Sequence, residues 1–262
     1  MSAPPHADPG AGVFETMLVL AGQPVELDAH LERLSSSLAA LYGALLPDEA
    51  RAAIRARAAP IRHGKLRLTV VPRAERMALR VSAEEVDPAC VFPTWECAAA
   101  LHSFVVAGGL GSHKWADRRL LERLAAAAPD GALPLLVESD GNVLEASRAS
   151  VFAVVGESLV TPPSDGRILP SIARRQTIEV ARAAGVETHE APLALAALRP
   201  SEAFLVGSVR GVEPARRLDG IELKPPGEIS ELVAGGLERL WLEAGEPVAA
   251  GADEPPAGRR EH

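Results

Sequence analysis

The sequence predicts an α+β fold, built as one large domain or as two closely packed smaller ones. Three observations lead there. Runs rich in strand formers occur in both halves, several of them paired across short turns, which marks hairpins. Between them lie stretches with apolar residues at helical spacing. And 262 residues, 47% of them hydrophobic, are enough to bury a substantial core. Aromatic residues make up only 3%, so Leu, Val, Ala and Ile must fill most of that core.

After a Pro/Gly-rich start, "VFETMLVL" (Val13–Leu20) reads as a strand and "AGQPV" as the turn of a hairpin. "DAHLERLSSSLAALYG" reads as a helix, with Asp28 as N-cap and Gly43 as its stop. Leu31, Leu34, Leu38 and Leu41 form its buried stripe, bordered by His30, Arg33 and Ser37. A second helix over roughly Pro47–Ala58 precedes two strands, "KLRLTVVP" and "RMALRVSA". Residues 1–100 are thus expected to form a smaller α+β portion that closes near Cys97–Ala100.

The remaining elements belong to a larger portion, residues 101–244. "GGLGSHK" is a glycine-rich loop leading into a helix expected over Trp115–Ala127. "ALPLLVESDGNVLEAS" is a hairpin turning at Asp140-Gly141-Asn142. "SVFAVVGESLVTPP" adds a strand pair around Gly156. "SIARRQTIEVARAAG" is a helix with Ala173, Thr177, Val180, Ala181 and Ala184 on one face and a stop at Gly185. "AFLVGSVRGVEPARRLDGIEL" returns to strand, and Ile229–Ala244 is a last helix. Residues 245–262 are Pro/Gly/Ala-rich and expected to be a disordered tail.

A net charge of −8 argues against broad binding to nucleic acid or anionic membranes, which needs clustered basic surface. Cys90 and Cys97 make no disulfide framework and match no zinc spacing, and the seven histidines include no H-E-x-x-H, so no metal site is expected. With no basic-then-apolar leader and no apolar run of spanning length, the expectation is a cytosolic protein. "GGLGSHK" fails the Walker spacing and "GSVRG" is not G-x-S-x-G, so neither a kinase loop nor a hydrolase elbow is supported.

The lysines are informative. Only Lys65, Lys114 and Lys224 are present among 27 Lys plus Arg, and Lys114 stands between the glycine-rich loop and a helix. A lysine can lose its proton and attack a carbonyl, whereas a guanidinium stays charged. Several separated pieces then suit an anionic aldehyde cofactor. Lys114 could form a Schiff base with it. Glu145, one strand past a hairpin, could pair with a protonated pyridine nitrogen. In "GRILPSIARR" the amides of Ile172 and Ala173 fall in the first turn of a helix, where phosphate binds. "GSVRG" offers Ser208 and a further turn of backbone amides.

Five ordered blocks, "GVFETMLVLAGQPVELDAHLERLSSS", "HKWADRRLL", "LVESDGNVLEASRASVFAV", "LVTPPSDGRILPSIARR" and "AFLVGSVRGVEPARRLDG", resemble the class IV aminotransferase family over about residues 12–222. This is the fold-type IV group of pyridoxal-phosphate enzymes, which holds branched-chain and D-amino-acid aminotransferases and 4-amino-4-deoxychorismate lyase. The resemblance implies the two-domain α+β fold of that group, pyridoxal 5'-phosphate as cofactor, and a homodimer acting on a small-molecule substrate near the subunit contact. It implies that Lys114 is the Schiff-base lysine and Glu145 the pyridine-nitrogen partner. It also implies that Arg33 binds phosphate, together with a cradle of Ile172, Ala173, Ser208 and Val209.

The chain departs from the family pattern at several places. Ser171 and Ala173 stand where Gly and Thr are frequent, Ser150 stands where Asn is usual, and "DPGAG" replaces Tyr-Gly-Asp-Gly before "VFET". No tyrosine follows Lys114, and "KWADR" is similar to the lyase pattern with Asp117 in place of Asn. The resemblance therefore implies a 4-amino-4-deoxychorismate lyase giving 4-aminobenzoate and pyruvate, on the way to folate. The alternative is an aminotransferase acting on branched-chain, D-amino acid or amine substrates. The lyase substrate carries two carboxylates, which makes Arg118 and Arg210 candidate substrate contacts.

Overall fold

A computed structural model describes residues 7–74 and 76–245; the tail expected from 245 onward lies, apart from Gly245, outside them. The chain opens with β1 (Val13–Leu20) and turns through Ala21 and Gly22, both at positive φ, into the short β2 (Gln23–Pro24). That backbone pair matches the twist of a tight hairpin. Helix α1 (Leu27–Tyr42) follows, then α2 (Ala50–Ala58), β3 (His63–Pro72) and β4 (Met77–Glu85). The four strands form an antiparallel sheet in the order β2-β1-β3-β4.

Alternation decides what each face of this sheet does. On β3, Leu66, Leu68 and Val70 are buried against Leu31, Leu34 and Leu38 of α1, and Leu41 only edges that core. Burying such a leucine contributes about 1.5–3 kcal/mol, so this contact holds α1 to the sheet. Asp28 is not the N-cap. Leaving β2, the chain turns through Glu26 in the left-handed region, the helix begins at Leu27, and Asp28 falls in the first turn, 2.5 Å from Arg51. Gly43 does end α1, with φ 60°.

The second, nine-stranded sheet begins with β5 (Ala99–Val105), a strand that crosses the boundary expected near Cys97–Ala100. It continues through α3 (Arg119–Ala127), β6 (Leu133–Val137), β7 (Val143–Ala146), β8 (Ser150–Val155) and β9 (Ser158–Thr161). Then come α4 (Ile172–Ala183), β10 (Thr188–Glu190), α5 (Leu195–Leu198), β11 (Glu202–Gly207), β12 (Gly211–Leu218), β13 (Ile221–Glu222) and α6 (Glu228–Gly245). The order is β10-β9-β8-β11-β12-β5-β6-β7, with β13 on β12. Pairing is mixed: β5 runs parallel to both β12 and β6, and β10 to β9, whereas the other pairs are antiparallel.

Helix α3 starts at Arg119, four residues later than expected, because Trp115 is drawn into a bridge with Val13. The Phe14 amide donates to the Lys114 carbonyl and the Ala116 amide to the Gly12 carbonyl, each at 2.9 Å. Further along β1, the Leu18 amide donates to the Ser208 carbonyl at 3.0 Å. One strand of the small sheet is therefore joined to two loops of the large one, and the space between them is the site. On α4, Ala173, Thr177 and Ala181 are buried as expected, but Ala184 is exposed.

Candidate active site

A cavity of about 490 Å³ lies where the two sheets meet. Lys114 reaches it from the loop Gly108–His113, whose shape is fixed on two sides. Glu138 accepts the Gly108 amide at 2.8 Å, and the Gly111 amide donates to the Arg167 carbonyl at 3.1 Å. Gly109 sits at φ 65°, and a Cβ there would stand 2.1 Å from the Arg167 carbonyl oxygen, so the position requires glycine. Burial pushes the Lys114 ammonium down to about 8; Arg33 and Arg118 act the same way, while Glu15 and Glu145 oppose them. A lysine in this state carries a usable fraction of free amine at neutral pH.

Glu145 follows from the alternation of β7: Leu144 packs into an apolar cluster and the next side chain turns to the cavity. Burial pushes its carboxyl up to about 7, against a hydrogen bond from the Leu169 amide and the charges of Lys114, Arg118 and Arg33. Its Oε1 is buried and has no hydrogen-bond partner among the described residues. Such an orphaned acceptor carries a desolvation penalty that a donor in the cavity would remove.

Arg33 lines the cavity and is held from behind. Its Nε donates to Glu15 Oε1 at 2.8 Å and its Nη2 to Glu15 Oε2 at 2.5 Å, while Nη1 donates to the Pro170 carbonyl at 3.0 Å. That carbonyl immediately precedes α4. Ser171 caps the helix by accepting the Arg174 amide at 3.2 Å. The side chains of Ile172 and Ala173 are buried away from the cavity, so only their backbone N–H groups, which have no partner within the helix, can serve an anion there. Ser208 and Val209, in the turn between β11 and β12, also line the cavity.

Arg118 and Arg210 also line the cavity, in different states. Arg118 donates to the Ser147 carbonyl at 2.5 Å and has no ion pair among the described residues. Arg210 is paired with the buried Glu213 at 2.8 Å, which Arg148 also holds at 2.9 Å. Asp117 accepts the Asp8 and Arg119 amides, each at 3.1 Å, and pairs with the Arg119 side chain, so it organises the loop after Lys114.

Several lining residues escaped the sequence reading, Arg67 foremost. Its guanidinium carbon lies 3.7 Å from the centre of the Phe14 ring, with Arg118 5.8 Å from that ring. Burial lowers the Arg67 pKa, and no ion pair engages it among the described residues. The signal was present in "KLRLTVV": once Leu66, Leu68 and Val70 face α1, Lys65 and Arg67 must share the other face.

The cavity thus joins a half-buried lysine, an unsatisfied buried carboxylate, an arginine beside a helix N-terminus, and further guanidinium groups. That donor set fits a phosphorylated pyridine aldehyde: aldehyde to Lys114, ring nitrogen to Glu145 Oε1, phosphate to Arg33 and the α4 amides. Comparison with known proteins points to the same cofactor. A putative branched-chain-amino-acid aminotransferase from Methanocaldococcus jannaschii is 34% identical over 99 residues, which is 37% of this chain and 34% of that protein. A branched-chain-amino-acid aminotransferase from Escherichia coli is 30% identical over 90 residues, 34% of this chain and 29% of its own. The matched stretch spans about a third of these curated relatives. Solved structures align along nearly the whole chain. A hypothetical aminotransferase from Mycobacterium tuberculosis, with alpha-ketoglutarate and PMP bound, has a TM-score of 0.79 at 25% identity, covering 93% of this chain and 94% of its own. A 4-amino-4-deoxychorismate lyase from Pseudomonas aeruginosa has a TM-score of 0.73 at 24% identity, covering 91% and 95%. The model of the family described as amino-transferase class IV matches residues 12–218, and a PLP-bound form occurs among the similar structures. The chain belongs to the class IV aminotransferases, the pyridoxal-phosphate enzymes of this fold.

Proposed function

We propose that this enzyme is a 4-amino-4-deoxychorismate lyase, releasing 4-aminobenzoate and pyruvate. The observation that carries the reading is the Arg67–Phe14–Arg118 arrangement, in which two guanidinium groups with no ion pair among the described residues lie against a flat apolar ring inside the cavity. A cyclic substrate with one carboxylate on its ring and a second on its enolpyruvyl side chain complements it, because each guanidinium can take a carboxylate in a charge-assisted bond. The two domains are read as residues 1–100 and 101–244, and the active unit as a homodimer in the cytoplasm.

Bound pyridoxal phosphate would supply the electron sink for a carbanion next to the substrate nitrogen. Lys114, Glu145, Arg33, the Ile172 and Ala173 amides, and Ser208 with Val209 would hold it. Lys114 Nζ, as free amine, removes the proton from the amine-bearing carbon of the substrate. The carbon–oxygen bond to the enolpyruvyl group then breaks as the ring becomes aromatic, and Lys114 delivers a proton to the departing group, which leaves as pyruvate. Glu145 would be held ionised against its burial by a protonated ring nitrogen facing Oε1, as the acceptor of that hydrogen bond. Arg67 and Arg118 orient the carboxylates, and Arg210, through its unpartnered Nε, supports them from the Glu213 side. The only tyrosine, Tyr42, donates to the Pro9 carbonyl, so no phenol shares the proton work with Lys114.

An aminotransferase remains the second reading, favoured by the branched-chain names of the curated relatives. Incubating the enzyme with aminodeoxychorismate and no keto acid separates the two. A lyase gives many turnovers of pyruvate, with Arg67→Ala and Arg118→Ala raising KM about tenfold or more. Slow or single-turnover release, beside rapid amino transfer from an ordinary amino acid to 2-oxoglutarate, would establish the transaminase. In either case borohydride should fix the cofactor to the peptide that contains Lys114.

A further inference from the structure

Beneath α1, polar side chains meet inside an otherwise apolar core. Glu15 and His30 are each 1% exposed, surrounded by Val13, Met17, Leu31 and Leu34. Replacing a buried ion pair by apolar groups is often neutral or stabilising, so stability alone does not account for a carboxylate here. Its geometry does. Arginine has five N–H donors in a planar fork. Three bonds, two to Glu15 and one to Pro170, occupy three of them on Arg33. The two that remain belong to Nη1 and Nη2, at the end of the side chain that lines the cavity beside the α4 N-terminus.

We propose that Glu15 is a positioning residue: it grips Arg33 along one edge and thereby aims the two remaining N–H groups at the phosphate of the cofactor. The inference rests on Arg33 serving that phosphate, and is independent of whether the enzyme is a lyase or a transaminase. His30 completes the device. Its Nδ1 lies 2.8 Å from Glu15 Oε2, and because an ionised carboxylate only accepts, that nitrogen carries the proton. Arg33 and His30 keep the Glu15 carboxyl ionised, at about 2, although burial works against them. The pair Glu15–Arg33 has no net charge, so the subsite selects phosphate by oriented donors more than by excess positive charge. An arginine held at two points loses little side-chain freedom on binding, which favours affinity.

The test compares pyridoxal 5'-phosphate with pyridoxal, which lacks the phosphate, by equilibrium titration of the cofactor-free protein. Glu15→Gln is expected to weaken the phosphorylated ligand by about 10- to 100-fold, as removal of a supporting shell does at other sites. Pyridoxal should bind as to the parent. Arg33→Gln should show the same selective loss, and the double variant should be no worse than Arg33→Gln alone. Equal weakening of both ligands in Glu15→Gln would mean general disruption and overturn the proposal, as would unchanged binding of the phosphorylated one. No selective loss in Arg33→Gln would remove its premise and overturn it too, leaving the lyase reading untouched. Should Glu15→Gln fail to fold, Glu15→Asp, which keeps the charge but shortens the reach, is read by the same criteria.

Discussion

Burial moves two of the titratable groups that line the cavity in opposite directions, Glu145 up to about 7 and Lys114 down to about 8. In the cofactor-free protein each shift makes stability depend on pH. Folding tightens the proton on Glu145, so stability falls as the pH rises from the ordinary 4.5 to about 7. Folding loosens the proton on Lys114, so stability rises with pH between about 8 and the ordinary 10.5. Glu145→Gln should therefore melt a few degrees higher than the parent apo-protein at neutral pH and at the same temperature near pH 4.5, read by calorimetry. In the loaded enzyme the same substitution should retain cofactor and slow turnover by on the order of a hundredfold, because a neutral amide cannot hold a ring nitrogen protonated. Lys114 and Glu145 could be found in the sequence because each lies in an ordered block with its own punctuation. Arg67 was legible only as a residue on the face opposite Leu66 and Leu68, with nothing to say that this face meets a cavity and not solvent, and Glu15, one acid in a β-run, gives no sign that an arginine from the next helix will meet it.

At the scale of elements, glycine at positive φ serves two different needs. Gly109 and Gly156 share a φ of 65°, yet a Cβ on Gly156 meets nothing within 4 Å whereas one on Gly109 strikes the Arg167 carbonyl. Gly156→Ala should cost about 1 kcal/mol, the conformational penalty alone. Gly109→Ala should cost several times more and reduce borohydride labelling of Lys114, since the lysine loop must lift off the 165–169 segment. Thermal melts of the two variants side by side provide the comparison. Hairpins with a clear turn, such as Asp140-Gly141-Asn142, were legible because the turn chemistry is local. The early start assigned to α3 was not, because the bridge between Trp115 and Val13 spans a hundred residues and leaves no local trace. β5 was hidden for a related reason: His102 and Ser103 interrupt its apolar run, and their partner is Asp219, just past the end of the neighbouring β12 and more than a hundred residues away in sequence.

For the whole molecule, the cavity is shared between two sheets that have separate apolar clusters, with Leu18 and Val25 of the small one packing into a cluster of the large one. A ligand seated between them should stabilise both together. At a hundredfold excess over its Kd, pyridoxal phosphate should add about 2.7 kcal/mol, raising the melting temperature in one transition. Lys114→Ala should lose most of that rise. A split transition, with only one part responding, would show that the sheets unfold independently. Which loops of the large sheet would meet β1 was settled by long-range backbone hydrogen bonds, beyond the reach of periodicity, and only the order of the five blocks pointed to it.

Strand β1 has one further consequence. Val13, Glu15, Met17 and Val19 lie under α1, while Phe14 and Thr16 face the cavity. The strand behaves as a ratchet with a tooth of two residues, so a frame error of one exchanges its faces. Deleting Thr16 would swing Glu15 out beside Glu145 and press Phe14 into the leucines of α1, and no soluble protein is expected. Deleting Leu45, 85% exposed between α1 and α2, moves no such boundary and should be tolerated. For this chain, insertions and deletions should thus be read by parity along β1, where a missing residue does more harm than most replaced ones.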